Sequence, residues 1–294
     1  IKKNQKKLNL YEQSVVVHEL VHSLQGQHFA TDEWYEEMDN LDDFTYYYGF
    51  VALMEAQADY VEGKYLLGFD TYDRQDYISQ IPNIQCRVSL PSYFYIPAEL
   101  YYEFGPILAD EILKNGKMEA LNNALFGYIN NGLNTLPTSE QIYDPARFFI
   151  DERYEELTSK TIELDNYILI DEGSFGALDL VYLMQDKIGQ TNAINAAVGI
   201  GGGSWKDYED SSGNLLMTLK LTGDDKNELQ EIYEAFTLWA NAQSRFSSSE
   251  PYLNGSLFKG STNFWIYSDQ SFIRIVLSQD LELLNSISDQ LNEF

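Results

Sequence analysis

Val15-Val16-Val17-His18-Glu19-Leu20-Val21-His22-Ser23-Leu24-Gln25 is the stretch on which the reading of this chain turns. It contains His-Glu-x-x-His. Residues four apart on a helix lie one turn above each other, so His18 and His22 present two imidazoles to one point, the bite a single zinc ion needs. Glu19 falls beside that point, where it can take a proton from a metal-activated water and pass it to a leaving amine. Val17, Leu20, Val21 and Leu24 read as an opposite, apolar stripe that buries the helix. Asn9 with Glu12 predicts a variant capping box at the N-terminus, and Gly26 predicts the C-terminal stop. Five-residue patterns with two free positions also arise by chance. However, all three histidines of the chain (His18, His22 and His28) fall within this short region, an odd distribution for histidines that merely fill a core.

A zinc site needs a third protein ligand and leaves its fourth position open for water. Two candidates compete. In Gly49-Phe50-Val51-Ala52-Leu53-Met54-Glu55-Ala56-Gln57-Ala58-Asp59-Tyr60, a helical stretch, Glu55 and Asp59 share one face. Glu55 can complete the metal shell while Asp59 accepts the free N–H of a ligating histidine. A solvated acidic face is the plainer reading, but the neighbours Val51, Ala52, Leu53, Met54, Ala56 and Ala58 are too apolar for it. The rival ligand is His28, at the spacing found in metzincins. That arrangement requires glycine at the third position after His22, which here is Gln25, so His28 ranks as the alternative metal ligand.

His18-Glu19-x-x-His22 followed by a helix bearing Glu55-x-x-x-Asp59 resembles the gluzincin group of zinc metallopeptidases, which includes the thermolysin and aminopeptidase N families. His18 through Phe29, Ala52 through Ala56, Tyr102-Glu103-Phe104-Gly105 and Pro137 through Ile142 are also similar to segments of a family of predicted archaeal surface proteins carrying His-Glu-Leu-Val-His-x-Leu-Gln. The linker between His22 and Glu55 is longer than is usual in thermolysin-like enzymes, and lengthening a surface loop costs little closure entropy. The gluzincin resemblance implies a zinc-dependent peptidase with His18, His22 and Glu55 on the metal, Glu19 as base and Asp59 behind a histidine. Tyr102-x-x-Gly105 is similar to an element of the aminopeptidase N family in which a tyrosine stabilises the oxyanion, and gives Tyr102 that role. The competing expectation is a catalytically silent surface or adhesion protein on the same scaffold. An intact Glu19 argues against it, since a binding module needs no general base.

Composition bounds the alternatives. The 294 residues carry 19 basic and 46 acidic side chains, a formal net charge of −27, which argues against nucleic acid and anionic membranes as partners. With 44% hydrophobic residues a real core is available. A single cysteine, Cys86, excludes an intrachain disulfide framework, and no histidine is left over to activate it. No apolar run is long enough to span a membrane. Abundant Tyr, Asn and Ser point to an extracellular or cell-surface protein, and the gluzincin resemblance implies a peptide or protein substrate. Residues 1–17 are too short to supply the sheet that precedes a zincin active-site helix, so the N-terminus reads as incomplete or processed. Asp39, Asp42 and Asp43 form a candidate structural calcium group, although their spacing fits no EF-hand loop.

The pattern predicts an α+β chain, with a helix-rich zincin-like catalytic unit over 1–155 and a smaller α+β half with β-hairpins over 156–294. Helices are expected around 50–66, from Tyr101 to Lys114 with Gly116 closing, over 120–130, from Ser174 to Lys187, over 224–242 and over 281–291. Lys160–Ile170 alternates weakly as a strand. Gly199–Gly203 reads as a turn leading into a hairpin of Trp205–Tyr208 and Leu215–Leu221, and Phe264–Tyr267 with Phe272–Leu277 as a second. Asn254-Gly255-Ser256 reads as a glycosylation sequon.

Overall fold

The computed structural model describes residues 7–29, 44–82, 94–132, 135–150 and 152–290. The chain is α+β and divides into two compact units, one of Ile1–Leu41 with Tyr46–Phe148 and the other of Asp42–Thr45 with Phe149–Phe294.

Among its described residues the first unit is helical throughout. Helix α1 (Leu10–Phe29) begins at the expected capping box: Glu12 N–H donates to Asn9 Oδ1 at 2.8 Å, and Asn9 N–H donates to Glu12 Oε2 at 3.0 Å. Two expectations for α1 are corrected. The helix runs through Gly26 to Phe29. Its buried face is Leu10, Ser14, Val21 and Gln25, whereas Leu20 and Leu24 are 56% and 52% exposed. The helix is therefore rolled toward its histidine side. Polar groups tolerate that position because each finds a hydrogen-bond partner there.

Helix α2 (Phe44–Leu67) is longer than expected and supplies the core of this unit: Phe50, Ala52, Leu53 and Ala58 are fully buried. Full burial of a leucine or phenylalanine contributes roughly 1.5–3 kcal/mol. Helix α3 (Thr71–Gln80), capped by Asp70, packs on α1, where the Gln80 carboxamide oxygen accepts from Tyr11 N–H at 3.3 Å. A short helix α4 (Ile96–Glu99) runs into a π-helical turn, Leu100–Phe104, and then into α5 (Gly105–Phe126). As expected, helical geometry breaks at Gly116 (φ −150°, ψ 15°), within the run α5. Lys117 adopts φ 57°, and the helix kinks there and resumes. Helices α6 (Tyr128–Asn131), α7 (Ser139–Tyr143) and α8 (Pro145–Phe149) follow, and α7 starts at a reciprocal Thr138–Gln141 capping box.

The second unit is one seven-stranded antiparallel sheet with helices. Strand β1 (Tyr167–Ser174) precedes α9 (Ala177–Ile188) and α10 (Gln190–Ala197). Strands β2 (Ile200–Asp210) and β3 (Leu215–Gly223) form a hairpin, and α11 (Lys226–Ala242) follows. Strands β4 (Phe246–Tyr252), β5 (Gly255–Gly260), β6 (Asn263–Ser268) and β7 (Ile273–Ser278) lead to α12 (Leu281–Ser286). The strand order is β1-β2-β3-β7-β6-β5-β4, so the two expected hairpins are joined by the β3–β7 pairing. Alternation sorts the side chains by face. Phe264, Leu219 and Ile275 meet Phe236 and Trp239 of α11, while Trp265, Val276, Leu216 and Tyr208 gather under Ile162, Leu284 and Ile287.

Three sequence expectations change in this unit. Gly201–Gly203 lie within β2 rather than in a turn. A Cβ on Gly202 would sit 2.0 Å from the Glu155 carbonyl oxygen, so the glycine is required by a close backbone approach, not by a bend. The strand expected over 160–170 begins only at Tyr167, and α9 starts at Gly176 rather than Ser174, with Asp179 accepting from Gly176 N–H at 2.8 Å. The β4–β5 hairpin was not expected. Its edge strand, Phe-Ser-Ser-Ser-Glu-Pro-Tyr, is polar and contains Pro251, a composition tolerated only where one side of the strand needs no ladder partner.

Candidate metal centre

Helices α1 and α2 bring three donors to one place. His18 Nε2 lies 3.1 Å from His22 Nε2 and 3.2 Å from Glu55 Oε2, and His22 Nε2 lies 3.5 Å from Glu55 Oε1. The two imidazoles stand edge to face at 78°. What holds the opposite ring nitrogens decides the chemistry. His18 Nδ1 faces Asp59 Oδ1 at 3.0 Å and Glu62 Oε2 at 3.5 Å, and His22 Nδ1 faces Gln25 Oε1 at 2.8 Å. All of these are acceptors, and at 3.0 and 2.8 Å the nearest lie closer to each Nδ1 than Glu55 does to each Nε2 (3.2 and 3.5 Å). In the neutral rings the protons therefore sit on Nδ1 and both Nε2 lone pairs are free. Two lone pairs and a carboxylate then converge with no hydrogen between them, an arrangement that a cation satisfies. The donor set also fits zinc in size. A tetrahedral ion with bonds of about 2.0–2.1 Å separates its ligand atoms by about 3.3 Å, close to the three spacings found here.

The π-turn explains how Tyr102 arrives. Inserting one residue into a helical turn re-aims the side chains around it, and such turns recur at functional sites. Gly105, just after the turn, lies so near α2 that a Cβ would fall 2.7 Å from the Ala52 carbonyl oxygen. That contact seats the turn one helical step from Glu55 and brings the Tyr102 phenol beside the Glu55 carboxylate. Glu19 is exposed on α1, and its charge is felt at both His22 and Tyr102.

The electrostatics follow from these contacts. In its protonated form His22 donates from Nε2 to Glu55, which raises it above its ordinary pKa, against burial, which lowers it. Burial by itself would raise Glu55, but bonds from His22 and Tyr102 and the nearby imidazoles outweigh it and its carboxyl is lowered. Asp59 is raised by burial, with Glu62 and Glu55 adding to the effect and His18 opposing it. The Tyr102 phenol is pushed up to about 12 by burial and the Glu55 charge, although 51% of the residue is exposed. It therefore stays a hydrogen-bond donor at any working pH.

No family model, curated protein or solved structure matches this chain. The residues and their geometry are the whole ground for a functional reading. They bring together His18, His22, Glu55, Asp59 and Tyr102, with Glu19 beside them. His28 is set apart. It lies exposed in the last turn of α1 and belongs to none of the clusters that could hold a metal among the described residues. The candidate calcium residues Asp39, Asp42 and Asp43, and Cys86, lie outside the described residues. No described helix is long and apolar enough to cross a membrane.

Two contributors escaped the sequence reading. Glu62 continues the Glu55–Asp59 face of α2 and reaches His18, and Gln25 stands three residues after His22 on α1. Helical spacing alone could have found both. Gln25, though inside the Val15–Gln25 stretch, enters the sequence reading only as the residue replacing the metzincin glycine, and Glu62 lies one turn beyond the Glu55–Asp59 pair.

Proposed function

We propose that this chain is a zinc-dependent metallopeptidase of gluzincin type that hydrolyses peptide bonds, acting at the cell surface or outside the cell. The observation that carries the reading is the convergence of two histidine Nε2 lone pairs and the Glu55 carboxylate, with each histidine Nδ1 already spent on an acceptor. Zinc held there supplies Lewis acidity toward the scissile carbonyl and lowers the pKa of water. The chain's own groups do the rest. Glu19 takes a proton as the water oxygen attacks the carbonyl carbon, then delivers it to the departing amine nitrogen as the C–N bond breaks. Tyr102 donates its phenolic hydrogen bond to charge developing on the carbonyl oxygen. Asp59 and Glu62 hold the His18 ring in place.

The test is metal content of the purified chain by mass spectrometry, alongside Glu55→Ala and His28→Ala. Stoichiometric zinc, lost in Glu55→Ala and kept in His28→Ala, is the expected result. A peptide-library screen with Glu19→Gln as the inactive control follows. Zinc that disappears with His28→Ala instead would move the third ligand to His28. No zinc in any form after reconstitution would refute the enzyme reading.

A further inference from the structure

The second histidine of the motif is held differently from the first. His18 leans on carboxylates, whereas His22 ends a line of buried amides. Gln25 Oε1 lies 2.8 Å from His22 Nδ1. The Gln25 amide nitrogen donates to Gln57 Oε1 at 2.9 Å and to the Met54 carbonyl oxygen at 3.2 Å, which uses both of its hydrogens. Gln57 then donates to Asn122 Oδ1 at 2.8 Å and faces Met118 Sδ at 3.7 Å. Gln25 and Gln57 are only 2% and 6% exposed. Buried primary amides persist where their hydrogen bonds are met, and these are met along one line.

The line has a direction. Turning the Gln25 amide over would set its oxygen against the Met54 and Gln57 oxygens, acceptor facing acceptor. Only the orientation with Oε1 toward His22 satisfies every group, and a carboxamide oxygen can only accept. The His22 proton must then sit on Nδ1. A freely solvated neutral imidazole prefers its proton on Nε2, the nitrogen needed here for the metal, so the relay works against the intrinsic preference.

We propose that Gln25, braced by Gln57 and Asn122, is a positioning residue that fixes the Nδ1–H tautomer of His22 and so presents its Nε2 lone pair to a divalent metal. This rests on the zinc reading above, but the tautomer is a property of the metal-free chain and can be measured without zinc.

The experiment uses metal-free protein labelled with 15N-histidine, which contains three imidazoles. Their signals are assigned by the ring lost in His22→Ala and in His28→Gln. Long-range 1H–15N spectra at about pH 9, where free histidine is neutral, show which nitrogen carries each proton. Zinc affinity is read separately by competition with a chromogenic chelator. Wild-type His22 is expected on Nδ1–H. Gln25→Leu should move it toward Nε2–H and weaken zinc binding about 10- to 100-fold. Gln25→Glu, which keeps an acceptor, should retain Nδ1–H. Gln57→Leu leaves Gln25 in place but unbraced and should give a smaller shift in the same direction. It also serves if Gln25→Leu does not fold. The proposal is overturned if wild-type His22 carries its proton on Nε2, or if Gln25→Leu and Gln57→Leu both leave tautomer and zinc affinity unchanged. A tautomer controlled by Gln25 in a chain that takes up no zinc would remove the metal site and leave the relay standing.

Discussion

Replacing Gly105 by alanine puts one methyl group into the contact that brings Tyr102 to Glu55. The backbone at Gly105 is helical (φ −52°, ψ −46°), so alanine has no conformational objection to the site. On propensity alone the change would stabilise by about 0.5–1 kcal/mol. The new Cβ, however, would stand 2.7 Å from the Ala52 carbonyl oxygen and 3.2 Å from both its carbonyl carbon and its Cβ. Two of those atoms are helix backbone and cannot rotate away, so the π-turn and α2 must separate by several tenths of an ångström. Overpacking of this kind costs about 1–3 kcal/mol, which outweighs the propensity gain. The net expectation is a loss of about 1–2 kcal/mol, equivalent to a Tm decrease of roughly 2–8 °C for a unit of this size. Thermal and urea unfolding followed by circular dichroism measure it, with no change in m. The same separation draws the Tyr102 phenol away from Glu55, so turnover should fall more than zinc content does. A Gly105→Ala protein that is more stable than the wild type would show propensity acting without a clash. That result would refute the close approach of the π-turn to α2.

Tyr102→Phe removes the phenol without disturbing the helix. It should lower kcat about 10²- to 10³-fold while leaving zinc content unchanged. Because the phenol ionises only near 12, the alkaline limb of the wild-type profile below about pH 11 should not belong to it; an unaltered kcat in Tyr102→Phe would remove the residue from the chemistry. In the second unit, Asp269 accepts from buried Arg274 at 2.7 Å and from the Ser271 and Phe272 N–H groups at 2.7 and 2.8 Å. Burial would raise its carboxyl, but these donors reverse the effect and hold it below the ordinary carboxylate value. A depressed acid stabilises above its unfolded pKa, about 3.9, and loses that contribution as pH falls through its folded value. Asp269→Asn should therefore cost about 1–2 kcal/mol at pH 7 and less at about pH 2. A deficit of equal size at both values, read from Tm, would contradict the assignment.

Much of the site was legible because helices convert spacing into geometry. His18 and His22 had to share a face once α1 was helical, and Glu55 and Asp59 once α2 was. The capping box at Asn9 and the β2–β3 and β6–β7 hairpins followed from local chemistry in the same way. The failures share one cause, which is that neighbours outside the local window overrode the local signal. Gly26 looked like a helix end, yet α1 continues through it to Phe29. Gly201–Gly203 looked like a turn, yet they are strand residues thinned to let the Glu155 backbone approach. Pro251 and three serines hid an edge strand that only its partner β5 specifies.

What could be read before folding was two imidazoles at helical spacing with a carboxylate next to them, and Glu55 and Asp59 sharing a face of a second helix. Periodicity is a property of the backbone and needs no knowledge of neighbours. Only the tertiary structure decided that α1 rolls its histidine side against α2, that Glu55 rather than His28 joins the pair, and that Gln25 and Glu62 face the ring nitrogens. Those outcomes depend on which buried polar groups find partners across two helices, and that balance exists only once the helices are packed together.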